Sequence, residues 1–442
     1  MNNEMLSDCV HIAPVVNGEQ VLRMDMNYLD MKNIQTEATS EWASLSENEQ
    51  DKFNKNIKRF FASKGIQDSE SAEFLAAKNY ALIKKECDER LNKQNYIETL
   101  PVGRLYFDQS LLDLVSNIEN TAHLKELYRL RKRTTGNSKN AGINSDEANR
   151  LKSCIRQGRE LYISGKQGSL LVKPLNFFYS LTAYSYAIII LNNPIRYMVE
   201  NLPGSHGLDY DPSDYKVKFG GNCAKGTFSE LVFSSPTLLA KNKSLELAQD
   251  NLETLVQFFK QKNTSSLGVL LSMVPEIREY YKLITGKHSR TYPMDIELGK
   301  DTRNMTWKFL IGDGEVTPNQ ECVAKAFSGF TVDNRYGKKV IEVPVSSLHK
   351  ITAMIFVDAD GALWYVENPF YPVVLSEICL HFMLTYAFSN IMRYSPHLWG
   401  NILLNEGNSD VSLITRKYLS AFENKFPLLI LRNVSKFYPV VA

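Results

Sequence analysis

The chain has 442 residues, which is too long for one ordinary hydrophobic core, so about two to four structural units are expected. Its 44% apolar and 23% charged residues are typical of a soluble globular protein, and a net charge of +2 gives no argument for nucleic-acid or membrane binding from total charge. The six cysteines form no CxxC pair and have no histidine at metal spacing, which excludes a recognisable zinc ribbon or disulfide scaffold. We therefore expect reduced thiols in a cytoplasm, no metal and no cofactor.

The first segment, residues 1–95, predicts a helical N-terminal extension. It lacks the basic and apolar regions of a secretory signal. Ser46 and Glu49 form a capping box, which predicts the start of a helix. A second amphipathic helix is predicted over residues 69–91.

Residues 121–173 form a basic segment, with twelve Lys or Arg against four acids and a net charge of +8. These cations either cover a solvated helix face or form a surface that contacts the phosphates of RNA or DNA, since several cations on one face neutralise a nucleic-acid backbone. The candidate nucleic-acid-binding residues are Arg129, Arg131, Lys132, Arg133, Lys139, Arg156 and Arg159.

The longest apolar stretch follows, and it begins with Pro174, which suits a first helical turn. Residues 174–191 are apolar on nearly every face, which predicts a helix inside a bundle. The apolar run is shorter than the ~20 residues that a bilayer requires and is interrupted by polar side chains, so no membrane contact is expected. A Gly204-Ser205-His206-Gly207 turn comes after it.

Strands and turns are predicted over residues 209–235, including strands at 215–219 and 227–233. The glycine-rich loop 221–227 imitates a phosphate loop but lacks the Lys after its second Gly, and we expect no helix after it. Helical spacing returns over 238–260 and 267–286.

Alternation with a period of two then predicts an antiparallel sheet over about residues 305–366. Asp313-Gly314 and Asp360-Gly361 are interpreted as its hairpin turns. A long apolar helix is predicted over 372–394, ending at Ser395-Pro396, and a further amphipathic helix over 409–425.

The first candidate site is the turn that carries His206, whose imidazole titrates near neutral pH. Arg196 could act there as an anion clamp. The alternative is a purely structural helix-end turn, in which the imidazole satisfies carbonyl groups. A nucleophilic pair of Cys223 and His206 is a third interpretation, which the spacing does not specify.

The second candidate site is the end of the C-terminal apolar helix, where Asn390 and Arg393 share a face. His397 follows the helix as a candidate acid or base. Polar groups in so apolar a helix must either be paired or face a site. The paired interpretation makes Glu377, Asn390 and Tyr394 structural, with Glu377 or a backbone carbonyl as the partner of Arg393.

Several motifs stand out as a set: FFYSLTAYSYA in the helix after Pro174, His206-Gly207-Leu208, Gly226-Thr-Phe-Ser-Glu-Leu231, Val274-Pro-Glu-Ile277, and the segment from Leu384 to Trp399. Together they resemble the YaaC-like family of bacterial proteins over about residues 95–435. The resemblance gives a family but no activity.

The first helical half also resembles HEPN-type helical domains, some of which are RNA-cleaving toxins of bacterial conflict and defence systems. Those enzymes have an Arg, a polar residue, and then four to six positions before a His. Here three residues separate Arg393 from His397 and nine separate Arg196 from His206, so both pairs depart from that pattern.

These patterns predict an α+β, mainly helical fold with a HEPN-like helical bundle, a small inserted antiparallel sheet and a C-terminal helical unit. The expected domains are an N-terminal extension (1–95), a bundle with the basic segment (96–300), a β unit (301–370) and a helical unit that packs on the bundle (371–442).

The preferred function is a cytoplasmic binding or effector component of an antiviral defence or stress system, contacting nucleic acid or a partner protein. The alternatives are a metal-independent ribonuclease, with His206 or His397 as acid/base and Arg196 or Arg393 stabilising charge, and a structural scaffold that forms a homo-oligomer.

Overall fold

The computed structural model describes residues 47, 98–102, 107–133, 142–192, 198–235, 237–239, 244–246, 252–298, 306–404, 409–435 and 437–441. The chain divides into two compact units, Met1–Gln94 and Asn95–Ala442, and nearly all described residues belong to the second. Apart from Glu47, which is helical, the predicted helices of the N-terminal extension lie outside the described residues.

The described part is mainly helical with small antiparallel sheets, which confirms the α+β class. Its α-helices are α1 Phe107–Asn117, α2 Thr121–Arg133, α3 Ser145–Gln167, α4 Lys173–Asn192, α5 Thr227–Ser234, α6 Leu252–Lys260, α7 Leu267–Leu271, α8 Arg278–Thr285, α9 Gln320–Ala326, α10 Glu377–Tyr394, α11 Pro396–Leu404 and α12 Ser409–Val434. Its strands are β1 Glu98–Val102, β2 Leu208–Asp211, β3 Lys216–Gly220, β4 Thr237–Leu239, β5 Ser244–Glu246, β6 Lys262–Ser266, β7 Thr291–Leu298, β8 Thr306–Ile311, β9 Val332–Arg335, β10 Lys338–Pro344, β11 Met354–Val357, β12 Leu363–Val366 and β13 Phe437–Val441.

Helix α4 lies at the centre of the main core, as its apolar sequence predicts. Helix α3 packs closely on α4 at two of its glycines. A Cβ atom on Gly158 would lie 2.6 Å from the ring of Tyr184, and one on Gly165 would lie 2.8 Å from the ring of Phe177, so a larger residue would not fit at either position. The hydroxyl of Ser180 donates to the carbonyl of Gly158 at 2.6 Å. By length and composition α4 could cross a membrane, yet 78% of its most apolar window is buried inside the protein, which confirms a core helix.

The opposite side of α4 packs against α10, where Phe178 meets Phe382 and Tyr386 with ring centroids 5.4 Å apart in each pair. Helix α10 ends before Ser395-Pro396, as predicted. It begins at Glu377 and not near residue 372, so that predicted boundary is wrong. Pro396 ends α10 and is also the first residue of α11.

The predicted antiparallel sheet is confirmed, and it has six strands in the order β11-β12-β7-β8-β10-β9. Its helix α9 and the sheet face share a second hydrophobic core around Phe309 and Tyr365. The Asp360-Gly361 hairpin connects β11 to β12 as predicted. The Asp313-Gly314 prediction is wrong, because the chain after β8 leads into α9 and Asp313 instead accepts hydrogen bonds from the amides of Glu315 and Val316.

Other predicted elements differ from the structure. Residues 227–233 form helix α5 and not a strand, because Phe228, Leu231 and Val232 recur at helical spacing and are all buried. A helix therefore does follow the glycine-rich loop. Of the helix predicted over 238–260, only α6 is helical among the described residues, and β4 and β5 precede it. The last predicted helix continues through Pro427 to Val434.

A buried charge network joins α10 to α12. The ammonium of Lys425, which is 1% exposed, donates to the carboxylates of Glu276 and Glu377. The Nη1 atom of Arg432 lies 3.5 Å from Oε2 of Glu377, and it donates to the carbonyl oxygen of Val357, at the end of β11, at 2.7 Å. The network therefore ties the helical core to the sheet, and each buried charge has a partner.

We predict that Lys425→Met lowers the free energy of unfolding by about 3–5 kcal/mol, because it leaves two carboxylates without their shared cation in the interior. Urea unfolding of the full chain measures this effect. Combining it with Glu377→Gln should cost less than the sum of the two single substitutions, by a coupling of about 0.5–3 kcal/mol. Lys325→Met, which removes an exposed pair with Glu321, is the control and should leave the unfolding midpoint unchanged. Additive single effects at Lys425 and Glu377 would contradict the network.

Candidate functional site

The turn that carries His206 is held by the first residues of α5. The backbone amides of Thr227 and Phe228 donate to the carbonyl oxygens of Ser205 and His206, both at 2.9 Å. The two backbones approach so closely that a Cβ atom on Gly226 would lie 2.2 Å from the Cα of Gly207. These two helix-terminal amides are therefore satisfied by the turn and fix its position.

The imidazole of His206 lies in an aromatic setting supplied by α4 and α10. Its ring centroid is 4.8 Å from Phe178, 6.2 Å from Tyr179 and 6.0 Å from Tyr386. Burial lowers the pKa of His206 from its ordinary value of 6.5, and the positive charge of Arg393 lowers it further. At neutral pH the imidazole is therefore uncharged and able to accept a proton.

Arg393 lies in the last turn of α10 and is half-buried. Its Nε donates to the carbonyl oxygen of Ser389 at 3.3 Å, and its Nη1 donates to the hydroxyl of Tyr179 at 3.4 Å. The guanidinium carbon is 5.1 Å from the ring centroid of Tyr394. Among the described residues no carboxylate forms an ion pair with Arg393, so its charge and several of its N–H donors remain available.

Tyr386 connects the turn to α10, whereas Asn390 donates to a carbonyl of its own helix. The Tyr386 hydroxyl donates to the carbonyl oxygen of Leu208 at 2.9 Å, and the Asn390 side-chain amide donates to the Tyr386 carbonyl at 3.0 Å. Both side chains are buried, and burial raises the pKa of Tyr386. Tyr386 therefore fixes the turn on α10. Asn390 is structural in the sense that its side chain is paired with a backbone carbonyl.

The structure brings together two of the four predicted catalytic candidates, His206 and Arg393. His397 is exposed on α11, and Arg196 lies outside the described residues. The suggested pairing of Arg393 with Glu377 is wrong, because the two lie at opposite ends of α10, about 24 Å apart at ~1.5 Å per residue. The backbone carbonyl is the partner that Arg393 uses, and Glu377 belongs to the buried network.

Sequence reasoning missed Tyr179 and Tyr386 as parts of this site. Tyr386, Asn390 and Arg393 follow each other at i, i+4 and i+7, so a common helix face was readable from the sequence. Nothing in the sequence joined that face to Tyr179. Burial and the charge of Asp209 raise the pKa of the Cys223 thiol, which disfavours the thiolate that a nucleophile requires.

The cations of the basic segment are only partly free. Arg159 is paired with Glu119 at 2.5 Å and with Glu160 at 3.0 Å, and the hydrogen bond to Glu119 raises its pKa. Arg129 and Arg156 are exposed. The side chains of Arg131, Lys132 and Arg133 at the end of α2, and the whole of Lys139, lie outside the described part of the chain.

Arg129 on α2 and Arg156 on α3 do not belong to one compact patch. Thr121 contacts Asn149 and Lys125 contacts Ser145, so the two helices run antiparallel. Along the helix axes, Arg129 therefore lies on one side of the Lys125–Ser145 contact and Arg156 lies on the other. Their separation along the helix axes is about 20 Å at ~1.5 Å per residue.

Helix α3 of the basic segment and the His206–Arg393 site lie on different sides of α4. Phe177, which faces Gly165 of α3, precedes Tyr179 by two residues. This spacing rotates Tyr179 by about 200° around the helix from the side that faces α3. Arg156 and the rest of α3 are therefore on another side of α4 from Arg393.

Among the described residues, no group of three or more His, Cys, Asp or Glu side chains could hold a metal ion. The family model of the YaaC-like proteins matches residues 113–434. The chain belongs to the YaaC-like family. Searches of the curated proteins and of the solved structures give no match. The YaaC-like region contains both His206 and Arg393, so the whole site lies within the part of the chain that the family shares.

We predict that Arg393→Gln raises the pKa of His206 in this YaaC-like protein, because it removes the positive charge that disfavours the imidazolium. The NMR titration of the His206 ring measures this change, with the assignment taken from a His206→Gln variant. Arg156→Gln removes an equal charge on α3 and should leave the His206 pKa unaltered. An unchanged pKa in Arg393→Gln would show that the two groups are not neighbours in solution.

Proposed function

We propose that this YaaC-like protein binds nucleic acid and that Arg393, with His206 beside it, holds a backbone phosphate. The observation that supports it is the half-exposed Arg393 guanidinium without an ion-pair partner among the described carboxylates. Guanidinium groups bind phosphate through paired N–H donors, and such charge-assisted hydrogen bonds are stronger than neutral ones.

Two features of the site suit it to binding an anionic ligand. The neutral imidazole of His206 donates or accepts a hydrogen bond without adding a second charge. The bonds from Arg393 to Ser389 and Tyr179 fix the guanidinium, which lowers the entropy lost on binding. A role in a defence or stress system, contact with a partner protein and self-association remain predictions from the sequence.

The basic segment supports this proposal as an auxiliary surface. Two of its exposed cations, Arg129 and Arg156, lie apart from each other, and Arg156 is on α3, which packs on another side of α4 from Arg393. They can attract a polyanion over a long range, but they do not form a fixed contact with one phosphate.

We predict that Arg393→Gln weakens binding of a short fluorescent single-stranded RNA by about 10-fold or more, since a charge-assisted hydrogen bond contributes ~1.5–3 kcal/mol. Fluorescence anisotropy at several salt concentrations measures this. The dependence of log affinity on log salt concentration should also become shallower by about one phosphate contact.

The matched control is Arg156→Gln, which removes the same charge from α3 and should weaken binding by no more than about 3-fold, as for a screened surface charge. The reverse order, with the larger loss at Arg156, would move the interface to the basic segment. Equal affinities for all three proteins would reject both surfaces.

A second candidate function, RNA cleavage, is favoured by the lowered pKa of His206. The uncharged imidazole could remove the proton from a ribose 2′-hydroxyl, whose oxygen then attacks the adjacent phosphorus. The bond from phosphorus to the 5′-oxygen breaks, that oxygen takes up a proton, and a 2′,3′-cyclic phosphate forms. Arg393 would stabilise the additional negative charge on the phosphoryl oxygens.

We predict that the purified protein cleaves RNA in the presence of EDTA and that His206→Gln reduces the rate by about 100-fold or more, as removal of a general base does. His397→Gln, which changes the exposed imidazole on α11, should retain the rate. A substrate with a single 2′-deoxy position should not be cut after that position. Cleavage that survives His206→Gln, or that persists at the deoxy position, would contradict this mechanism.

A further inference from the structure

Tyr394, the last residue of α10, is 74% exposed although it is a large aromatic residue at the end of an apolar helix. Arg393 is the neighbour that it contacts, through a cation–π interaction at 5.1 Å. One face or edge of the ring therefore lies against the guanidinium while most of the side chain is open to solvent. Burial of apolar area does not account for its position.

A cation and a second exposed aromatic residue lie beside this ring. Arg393 provides the phosphate contact in the proposed function, and its Nη1 donates to the hydroxyl oxygen of Tyr179, whose side chain is 37% exposed. The guanidinium carbon of Arg393 is 5.1 Å from the centroid of the Tyr394 ring, so one ligand can contact both groups. An exposed aromatic face next to a cation is the arrangement on which unpaired bases stack.

We propose that the Arg393 site takes an unpaired nucleotide, with its phosphate on Arg393 and its base stacked on Tyr394. This inference rests on the proposed function. In a duplex both faces of each base are covered by neighbouring base pairs, so only a single strand, a loop or a bulge offers a face to the tyrosine. The site should therefore select single-stranded over double-stranded RNA.

The test compares Tyr394→Ala with Tyr394→Phe in the full chain, using the same RNA sequence as a single strand and as a duplex. Loss of the ring should weaken single-strand binding by about 5-fold or more, because stacking contributes ~1–3 kcal/mol per base. Phenylalanine keeps the ring and should restore the affinity to within about 2-fold of the unaltered protein. Duplex binding should be weaker and equal in both variants.

A spectroscopic signal distinguishes stacking from a general loss of structure. A single-stranded RNA that contains 2-aminopurine should lose fluorescence when it binds the unaltered protein and Tyr394→Phe, and keep it with Tyr394→Ala. The lowered pKa of His206 should persist in Tyr394→Ala, which would show that Arg393 is still in place.

The two proposals fail differently. If Arg393→Gln weakens single-strand binding but Tyr394→Ala does not, or if the duplex binds as well as the single strand, stacking is rejected and the phosphate site stands. If Arg393→Gln has no effect, the phosphate site itself is rejected, whatever Tyr394→Ala does.

Discussion

The packing of α4 against α10 around Phe178 is the contact on which the candidate site depends. The Phe178 ring meets Phe382 and Tyr386 on α10 and also the imidazole of His206. The Phe178 side chain thus sets both the distance between α4 and α10 and the position of the His206 turn relative to these helices. The other side of α4 fits closely against the glycines of α3, so the helix cannot shift away from α10 without colliding with α3.

The two ends of helix α10 each carry a charged side chain, but only one of these charges is compensated by an ion pair among the described residues. At its N-terminus Glu377 is buried and compensated by Lys425 and Arg432, which connects the core to the sheet. At its C-terminus Arg393 is half-exposed and has backbone and hydroxyl partners but no described carboxylate. An acid at the first turn and a base at the last both suit the helix dipole. Only the second leaves charge available to a ligand, which is why we place function at that end.

The elements with long apolar runs or a terminating proline were predictable from the sequence, and those whose structure depends on tertiary contacts were not. Helix α4 and the end of α10 followed from apolar runs and a proline. Residues 227–233, most of α5, were assigned to a strand because β-branched and aromatic side chains are common in both kinds of short buried element. Strand β7 was missed although its apolar residues alternate, because Pro293 lies within it and a proline argues against a central strand. The meeting of His206 with Arg393 depends on tertiary packing, for which neither local pattern carries a signal.

A crystal structure of the protein with a short single-stranded RNA, blocked against cleavage by 2′-O-methyl groups, tests the central claim most directly. The account predicts a phosphate oxygen within hydrogen-bond distance of the Arg393 guanidinium, about 2.7–2.9 Å, with the His206 ring beside the same nucleotide. RNA bound along α2 and α3, with no phosphate at Arg393, would contradict it.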